Sequence, residues 1–341
     1  YFLREPAPQT GQWKVDGVAP DAKLVLFDSE VTPAPPSLCP GTISVGTLYS
    51  KFCTGDNSTP CSDTGDCGGA GGTCEPFGGA LLAGYEEGGH TFNMSFGNAD
   101  SNPGTYSTAV AEAIDCFPSD QRAAMTFSSA GNAGGDVDMD GVPDEGSIGE
   151  PGTAANGICV GGTNQSGVNV NARYGSSSVG PATPTSNRVA PLLMAPATDN
   201  FNTGVGLFDP YSCRNNDNNQ STPVTCTLDE QIIVEEGTSF ASPAVAGSAL
   251  LVRDYFAQGF YPDGIRKDAN SVPLISGALT KAILITSAEF MRSIVNPGGS
   301  LTEGFRFNFE QGYGRVELDN ALPLNSWAAS PSGILVTDGS M

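Results

Sequence analysis

The chain has 341 residues, with 37 acidic against 15 basic side chains, a formal net charge of −22 and one histidine. So acidic a surface repels nucleic acid and anionic membranes, which argues against both as partners. No apolar run approaches the length of a membrane span and no signal peptide stands at Tyr1, while the length allows one large domain with insertions.

Apolar runs along the chain alternate between short strands and helices. Predicted strands occupy, in chain order, residues 23–27, 91–96, 123–128, 157–160, 189–194 and 231–234. Predicted helices occupy residues 107–114, 239–257 and 275–287. Strands that alternate with helices are typical of an α/β fold, so we expect a largely parallel sheet with helices on both faces.

A cysteine-rich insertion, residues 33–80, follows the first predicted strand. Five of the nine cysteines fall within it: Cys39, Cys53, Cys61, Cys67 and Cys74. The insertion is rich in glycine, proline and serine and is too polar to fold by burial alone, so disulfides are its expected stabiliser. Zinc is the alternative, but the spacings lack paired Cys-x-x-Cys motifs and the insertion has no histidine.

The other four cysteines lie in different settings. Cys213 and Cys226 bracket an Asn/Asp-rich loop and are expected to close it, whereas Cys159 in an Ile-Cys-Val run is expected to be a buried free thiol. Cys116 follows a predicted helix, and the sequence does not indicate which cysteine it would pair with. Nine cysteines are many for a cytosolic enzyme, so the count favours a secreted or extracellular location, with the periplasm or the cell surface as variants.

An acidic loop at residues 136–147 carries carboxylates at alternate positions and a glycine, Gly141, at its sixth position. This spacing is typical of a calcium loop of the EF-hand or thrombospondin-repeat type. Ser147 stands at the twelfth position, where such a loop usually has a bidentate glutamate. The expected ligands are Asp136, Asp138, Asp140, the backbone carbonyl of Val142, and Asp144 or Glu145. We therefore expect calcium as the cofactor; a solvated acidic loop is the alternative.

A serine stands at a predicted strand-to-helix turn, in the string Gly237-Thr238-Ser239-Phe240-Ala241-Ser242-Pro243. The helix N-terminus would place its positive dipole end and free N–H groups beside the Ser239 oxygen, where a tetrahedral oxyanion would form. Gly237 permits the sharp turn. The extended string resembles the nucleophile segment of the subtilisin-like serine proteases, the subtilases.

Further segments resemble that family in the order that it requires. In chain order they are 16–20, 22–27, 91–97, 128–132, 150–152, 158–162, 174–181, 193–196 and 312–316. The resemblance implies a subtilisin-like peptidase domain at residues 1–325, with a three-layer α/β fold whose central sheet is mostly parallel and whose N-terminal part is absent from this chain. Residues 326–341 are expected to be a linker or the start of a further C-terminal segment.

The resemblance implies acyl transfer on peptide bonds, with Ser239 as nucleophile and with Asn132 and the Ser239 backbone N–H as oxyanion donors. It implies that the 95–97 edge accepts a peptide or protein substrate as an added antiparallel strand. The implied substrate-binding residues are Ser95, Phe96, Gly97, Ser129, Ala130, Gly131, Gly149, Glu150 and Gly152. Glu150 hints at basic substrate side chains, and a rim carboxylate facing water is the alternative.

The resemblance also implies a histidine base and an orienting aspartate, both upstream of the segment matched by Gly17-Val18-Ala19-Pro20. They are expected before Tyr1, whereas His90 is interpreted as a polar residue that opens a strand. Three explanations stay open: a separate N-terminal fragment of the same precursor supplies both residues, the sequence is truncated, or the protein is a pseudo-protease. Because Ser239 and Asn132 are both retained, the sequence favours a secreted serine endopeptidase; an inactive peptide-binding or structural protein is the alternative.

Overall fold

The structure is a computed structural model. It describes residues 4–6, 13–15, 18–19, 22–23, 50–54, 56–60, 64–68, 72–97, 106, 110–136, 138–140, 142–164, 171–198, 207–210, 232–291, 293–295, 301–303, 308–325 and 336. Residues 24–27 of the strand predicted at 23–27, the loop between Cys213 and Cys226 and most of 326–341 lie outside these residues.

The described elements are short strands and four α-helices. The strands are β1 (Arg4–Pro6), β2 (Trp13–Val15), β3 (Ser50–Cys53), β4 (Asp56–Pro60), β5 (Cys74–Gly78), β6 (Thr91–Met94), β7 (Met125–Ser129), β8 (Ile158–Asn164), β9 (Leu193–Thr198), β10 (Leu207–Pro210), β11 (Ile232–Glu235), β12 (Ser293–Val295) and β13 (Leu301–Glu303). The helices are α1 (Ala80–Glu86), α2 (Ala111–Asp120), α3 (Thr238–Ala257) and α4 (Gly277–Ser287).

The centre of the fold is a four-stranded sheet in the order β6-β7-β8-β9, with every pairing parallel. Every residue of β7 and β8 is buried, as expected for a parallel sheet that is covered on both faces. Among the described strands of this sheet, β6 lies at one edge. The carboxyl ends of all four strands therefore meet along the same side of the sheet.

Helices cover both faces of this sheet. On one face, Phe127 and Val160 pack with Val245 and Val252 of α3 and with residues of α4. On the other face, the cluster around α1 and α2 comprises Leu81, Met94, Ile114, Phe117 and Ala124. This arrangement is the predicted three-layer α/β fold. Across the described ranges, no helix has both the length and the apolar character that crossing a membrane takes.

Three predicted elements differ from the observed ones. Helix α2 runs from Ala111 to Asp120 instead of 107–114, because Phe117 is buried between the rings of Tyr85 and Phe92, contacts that no local pattern shows. The predicted strand at 189–194 is shifted to β9. The strand predicted at 231–234 forms as β11, but it pairs antiparallel with β10 and lies outside the four-stranded sheet.

The cysteine-rich insertion forms a small antiparallel sheet in the order β4-β3-β5. A disulfide joins Cys53 to Cys67, and Cys74 is disulfide-bonded as well. The expectation of disulfides is thus confirmed for these three cysteines, which are no longer available as thiolate ligands for zinc. The Lys51 ammonium lies 3.3 Å from the Asp120 carboxylate and connects the insertion to α2.

Cys159 is the buried free thiol that its apolar run predicts, with 4% of its surface exposed. Burial raises the pKa of its thiol to about 12, against a smaller lowering by Arg188. We expect Cys159→Ser to lower the free energy of unfolding by about 1–3 kcal/mol, because a buried hydroxyl loses its hydration. Denaturant unfolding measures this, with the half-buried free thiol variant Cys116→Ser as the matched control. A Cys159→Ser protein as stable as the wild type would contradict the prediction.

Candidate active site

Ser239 lies in the first turn of α3, at the carboxyl-end side of the sheet. The turn that precedes it requires glycine, since Gly237 has φ 139° and ψ 161° and its N–H donates to the Ala197 carbonyl of β9 at 3.0 Å. Helix α3 then begins at Thr238, so its positive dipole end lies at Ser239. The half-buried hydroxyl is therefore placed where negative charge on a neighbouring oxygen is stabilised.

Asn132 lies beside this turn and is held by it. Its Oδ1 accepts hydrogen bonds from the Thr238 N–H at 2.9 Å and from the Thr238 hydroxyl at 3.0 Å. The Gly131 N–H donates in turn to the Thr238 hydroxyl oxygen at 3.2 Å. Gly237 has no side chain to cap α3, so Asn132 supplies that cap from another part of the chain. Because Oδ1 accepts from Thr238, the amide presents Nδ2 as its donor to a ligand.

The segment after β6 is hydrogen-bonded to the first turn of α3. The Ser95 hydroxyl donates to the Ser239 carbonyl at 2.8 Å, and the Ser239 hydroxyl donates to the Ser95 carbonyl at 3.4 Å. Behind them, the Asn93 amide donates to the Ser95 hydroxyl at 2.9 Å and accepts from the Ser242 hydroxyl at 2.7 Å. Sequence reasoning missed the roles of Asn93 and Ser242, although both stand within the strings that carry the family resemblance.

The predicted substrate-binding residues come together around this edge. Phe96 is 56% exposed, and a Cβ on Gly97 would come 2.1 Å from the Glu150 carbonyl oxygen, so only glycine fits there. The Gly149 N–H donates to the Ala130 carbonyl at 3.3 Å, which connects the predicted pocket segments 149–152 and 129–131. Ser129, Ala130, Gly149, Glu150 and Gly152 are buried, and Gly131 is half-buried. Glu150 is 9% exposed, which is little for the rim carboxylate facing water that the alternative describes.

His90, the single histidine, lies at the far end of the sheet from Ser239. It immediately precedes β6, five residues before Ser95, which corresponds to about 16 Å along an extended strand. Burial, followed by the charge of Arg253, lowers the pKa of His90. Arg253 lies about 21 Å along α3 from Ser239. Both estimates place the imidazole too far away to take the Ser239 proton.

The acidic loop brings three of its predicted calcium ligands together. Oxygens of Asp136, Asp138 and Asp140 lie within 4.8 Å of one another. The Asp140 N–H donates to the Asp136 and Asp138 carboxylates at 3.1 and 3.2 Å. That N–H lowers the pKa of Asp138, but the Asp140 carboxylate and other neighbours, including Asp144, outweigh it, so the pKa is raised. Mutual repulsion of this kind is what a bound cation relieves.

The other predicted ligands, Val142, Asp144 and Glu145, are not part of this cluster of three carboxylates. The Val142 N–H donates to the Asp140 carboxylate at 2.8 Å, and the Asp144 N–H donates to the Gly135 carbonyl at 2.9 Å. Glu145 lies near Glu310, since both line a cavity of about 300 Å³. The pKa of Glu310 is raised, because burial and the charge of Glu145 outweigh the lowering by Arg173. Of the two acidic residues that could complete the shell, Asp144 acts on the Asp138 carboxylate, whereas Glu145 acts on Glu310.

Comparison with known proteins places this chain in a family. The family model described as the subtilase family, peptidase S8, matches residues 7–314. Two curated relatives, the serine protease/ABC transporter B family proteins tagD and tagB of Dictyostelium discoideum, are 28% identical over 108 residues and 29% identical over 103 residues. These matches cover 29% and 28% of this chain and 6% and 5% of the relatives, so the chain spans a small part of their length.

Solved structures of proteases are similar as well. The S41 psychrophilic protease is 20% identical at a TM-score of 0.45, with 70% of this chain and 60% of that chain covered. Sphericase is 15% identical at a TM-score of 0.45, again with 70% of this chain and 60% of that chain covered. Since the family model matches most of the sequence, from residue 7 to residue 314, the chain belongs to the subtilase family.

Proposed function

We propose that this chain carries the nucleophile and the oxyanion site of a secreted serine endopeptidase that hydrolyses peptide bonds. The observation that carries the proposal is the pair of hydrogen bonds from Thr238 to Asn132 Oδ1, which fixes the Asn132 amide donor beside Ser239. Membership of the subtilase family supports the same reaction class. The disulfide between Cys53 and Cys67 supports an oxidising, extracellular location.

The chemistry follows from the placement of Ser239. Its Oγ attacks the scissile carbonyl carbon while a histidine base takes the hydroxyl proton, and the carbonyl oxygen becomes an oxyanion. The Asn132 amide and the Ser239 backbone N–H donate to that oxyanion. Collapse expels the amine, which receives the proton from the histidine, and water then hydrolyses the acyl-serine by the same route. The 95–97 edge binds the substrate backbone as an added strand.

The base and its aspartate come, in this proposal, from a segment of the same precursor upstream of Tyr1. His90 is excluded by its place at the opposite end of the sheet. The Ser239 hydroxyl donates to the Ser95 carbonyl, a contact that an incoming imidazole would replace. The same contact favours the second candidate, an inactive subtilisin-like protein that binds peptides at the 95–97 edge, because a carbonyl accepts a hydrogen bond without removing the proton.

A fluorophosphonate probe distinguishes these two functions, because it reacts with a serine that a base activates. We expect the native protein to form an adduct that peptide mapping by mass spectrometry places on Ser239. A known serine protease labelled in parallel is the positive control. The absence of an adduct under conditions that label the control would overturn the enzymatic proposal and leave the peptide-binding one.

We also propose that the 136–147 loop binds calcium. The three carboxylates that lie within 4.8 Å of one another offer the hard oxygen ligands that calcium prefers, with Asp144 close by. Calcium supplies no step of the peptide hydrolysis; it neutralises the carboxylates and stiffens the loop. Gly134, at the base of this loop, would clash with the Ser177 carbonyl at 1.8 Å if it carried a Cβ. The base of the loop, two residues after Asn132, is therefore packed tightly against Ser177.

Calcium is expected to raise the free energy of unfolding, by about 2.7 kcal/mol when it exceeds its dissociation constant a hundredfold. Asp138→Asn should remove most of this effect, because it deletes one anionic ligand. Thermal unfolding with calcium and with a chelator measures the difference, and terbium luminescence reports binding independently. Asp268→Asn, a change at a side chain that is 96% exposed, is the matched control. Equal melting temperatures with calcium and with chelator, without terbium emission, would refute calcium binding.

A further inference from the structure

Two cationic side chains bind five consecutive backbone carbonyls just after the substrate pocket. We call residues 153–157 the carbonyl run. The Arg188 guanidinium donates to the carbonyls of Thr153 and Ala154, to the latter at 3.0 Å. The Lys281 ammonium donates to the next three carbonyls, those of Ala155 at 3.2 Å, Asn156 at 3.3 Å and Gly157 at 3.1 Å. No residue of the run lies in a strand, and β8 begins at Ile158.

These hydrogen bonds replace those that a strand or helix would supply. A buried carbonyl without a partner costs free energy, and Thr153, Ala154 and Gly157 are buried. Bonds from a charged donor are stronger than neutral ones, and the three carbonyls on Lys281 occupy all three donors of its ammonium. Burial and, to a smaller extent, the charge of Arg188 lower the pKa of Lys281 to about 8 against the opposing charge of Asp115, which agrees with the closeness of the two cations.

The run is held from several elements of the fold. Lys281 belongs to α4, whereas the Arg188 carbonyl accepts from the Ala182 N–H at 3.0 Å in a loop that precedes β9. From α2, the Asp115 carboxylate accepts from the Asn156 N–H at 2.6 Å, and the Asp115 carbonyl accepts from the Asn156 amide at 2.6 Å. Helices on opposite faces of the sheet therefore meet at this one turn.

The carbonyl run is continuous with one wall of the pocket. Within the turn, the Gly152 N–H donates to the Gly149 carbonyl at 2.8 Å, and the Ala154 N–H donates to the Pro151 carbonyl at 3.1 Å. Before this turn, the Glu150 carbonyl of the pocket wall lies so close to Gly97 that a Cβ at residue 97 would not fit. A shift of the run by a fraction of an ångström therefore moves the wall relative to the substrate-binding edge.

We propose that Lys281 and Arg188 are positioning residues that fix the pocket wall at residues 149–152 against the 95–97 edge by binding the carbonyl run. This role rests on the proposed function, since a pocket wall has meaning only where a substrate binds. Both residues lie away from Ser239 and Asn132, so they act on the placement of the substrate and leave the nucleophile itself unchanged.

Two probes separate this role from that of the nucleophile. A small alkyl fluorophosphonate requires only Ser239 and its base, whereas a peptidyl phosphonate must also fill the pocket. For Lys281→Met we expect the rate constant for the peptidyl probe to fall about 10- to 100-fold, the range that displacing a reactant by about 1 Å produces. The rate constant for the alkyl probe should stay within about twofold of the wild type. Lys267→Met, at an exposed lysine paired with Asp263, is the matched control.

Chemical rescue tests the contact itself. A cavity of about 460 Å³ is lined by Lys281, Asn156 and Ser276, so a small amine can enter once the side chain is shortened. With Lys281→Ala we expect ethylammonium to restore the peptidyl-probe rate, and tetramethylammonium, which has the charge but no N–H donor, not to restore it. Lys281→Arg should keep a rate closer to the wild type than Lys281→Met does.

Three outcomes would overturn the proposal. They are an unchanged peptidyl-probe rate in Lys281→Met, an equal fall with both probes, and equal rescue by both ammonium ions. If Lys281→Met does not fold, Arg188→Lys tests the same role with the same two probes. A wild-type protein that reacts with neither probe overturns the proposed function first, which distinguishes the two failures.

Discussion

Ser239→Ala is expected to abolish peptide hydrolysis, with a loss of about six orders of magnitude in kcat, and to remove the fluorophosphonate adduct. The physical reason is that alanine has no oxygen to form the acyl-enzyme, so the hydrolysis loses its two-step route. The residual rate of the Ser239→Ala variant comes from stabilisation of the oxyanion and from substrate binding. The measurement is hydrolysis of a peptide substrate by the native protein together with the upstream segment that the proposed function requires.

The substitution should leave the fold unchanged. The Ser239 hydroxyl makes one long contact, 3.4 Å to the Ser95 carbonyl, whereas the firmer 2.8 Å bond uses the Ser239 backbone carbonyl, which alanine keeps. Ser248→Ala is the matched control, because its hydroxyl lies further along the same helix and bonds to the Ala244 carbonyl. An adduct that persists in Ser239→Ala would show that another serine is the nucleophile.

Asn132→Asp is expected to lower kcat about 10²- to 10³-fold, which corresponds to about 2.7–4 kcal/mol of transition-state stabilisation. An aspartate keeps an oxygen for the Thr238 N–H and hydroxyl, so the cap on α3 survives. It replaces the Nδ2 donor with a second anionic oxygen, which repels the developing oxyanion. The loss should therefore appear in kcat, with KM nearly unchanged.

Two further variants separate the donor from the cap. Asn132→Ala removes both, so it should lose activity and also lower the free energy of unfolding by about 0.5–2 kcal/mol. Thr238→Ser keeps both bonds to Oδ1 and should retain nearly full activity. If Asn132→Asp hydrolysed peptide at the wild-type rate, Asn132 would act only as a helix cap.

Local sequence patterns were sufficient for the elements that form the centre of the fold. The apolar runs at 123–128 and 157–160 predicted strands, and β7 and β8 form there, with every residue buried. The small-residue run after Ser239 predicted α3 to within one residue at its start. These signals are local because burial on a regular element repeats along the chain with a fixed period. The apolar neighbours of Cys159 predicted its burial for the same reason.

Predictions failed where distant contacts decide the structure. The end of α2 depends on Phe117 meeting Tyr85 and Phe92, and the place of β11 depends on β10, which the pattern of apolar runs did not reveal. The acidic loop shows the same limit: alternation predicted that three carboxylates converge, but not that Glu145 would lie near Glu310.

The sequence by itself determined which segments form the candidate site, because the string around Ser239 and the segment around Asn132 are contiguous and specific. Only the tertiary structure showed how they cooperate: Asn132 caps α3 across a separation of 106 residues, and Lys281 reaches the Asn156 carbonyl across 125. A hydrogen bond depends on distance and direction in space, and neither is encoded in the spacing of residues along the chain. The parallel sheet supplies both, since it brings the ends of separate strands to one edge.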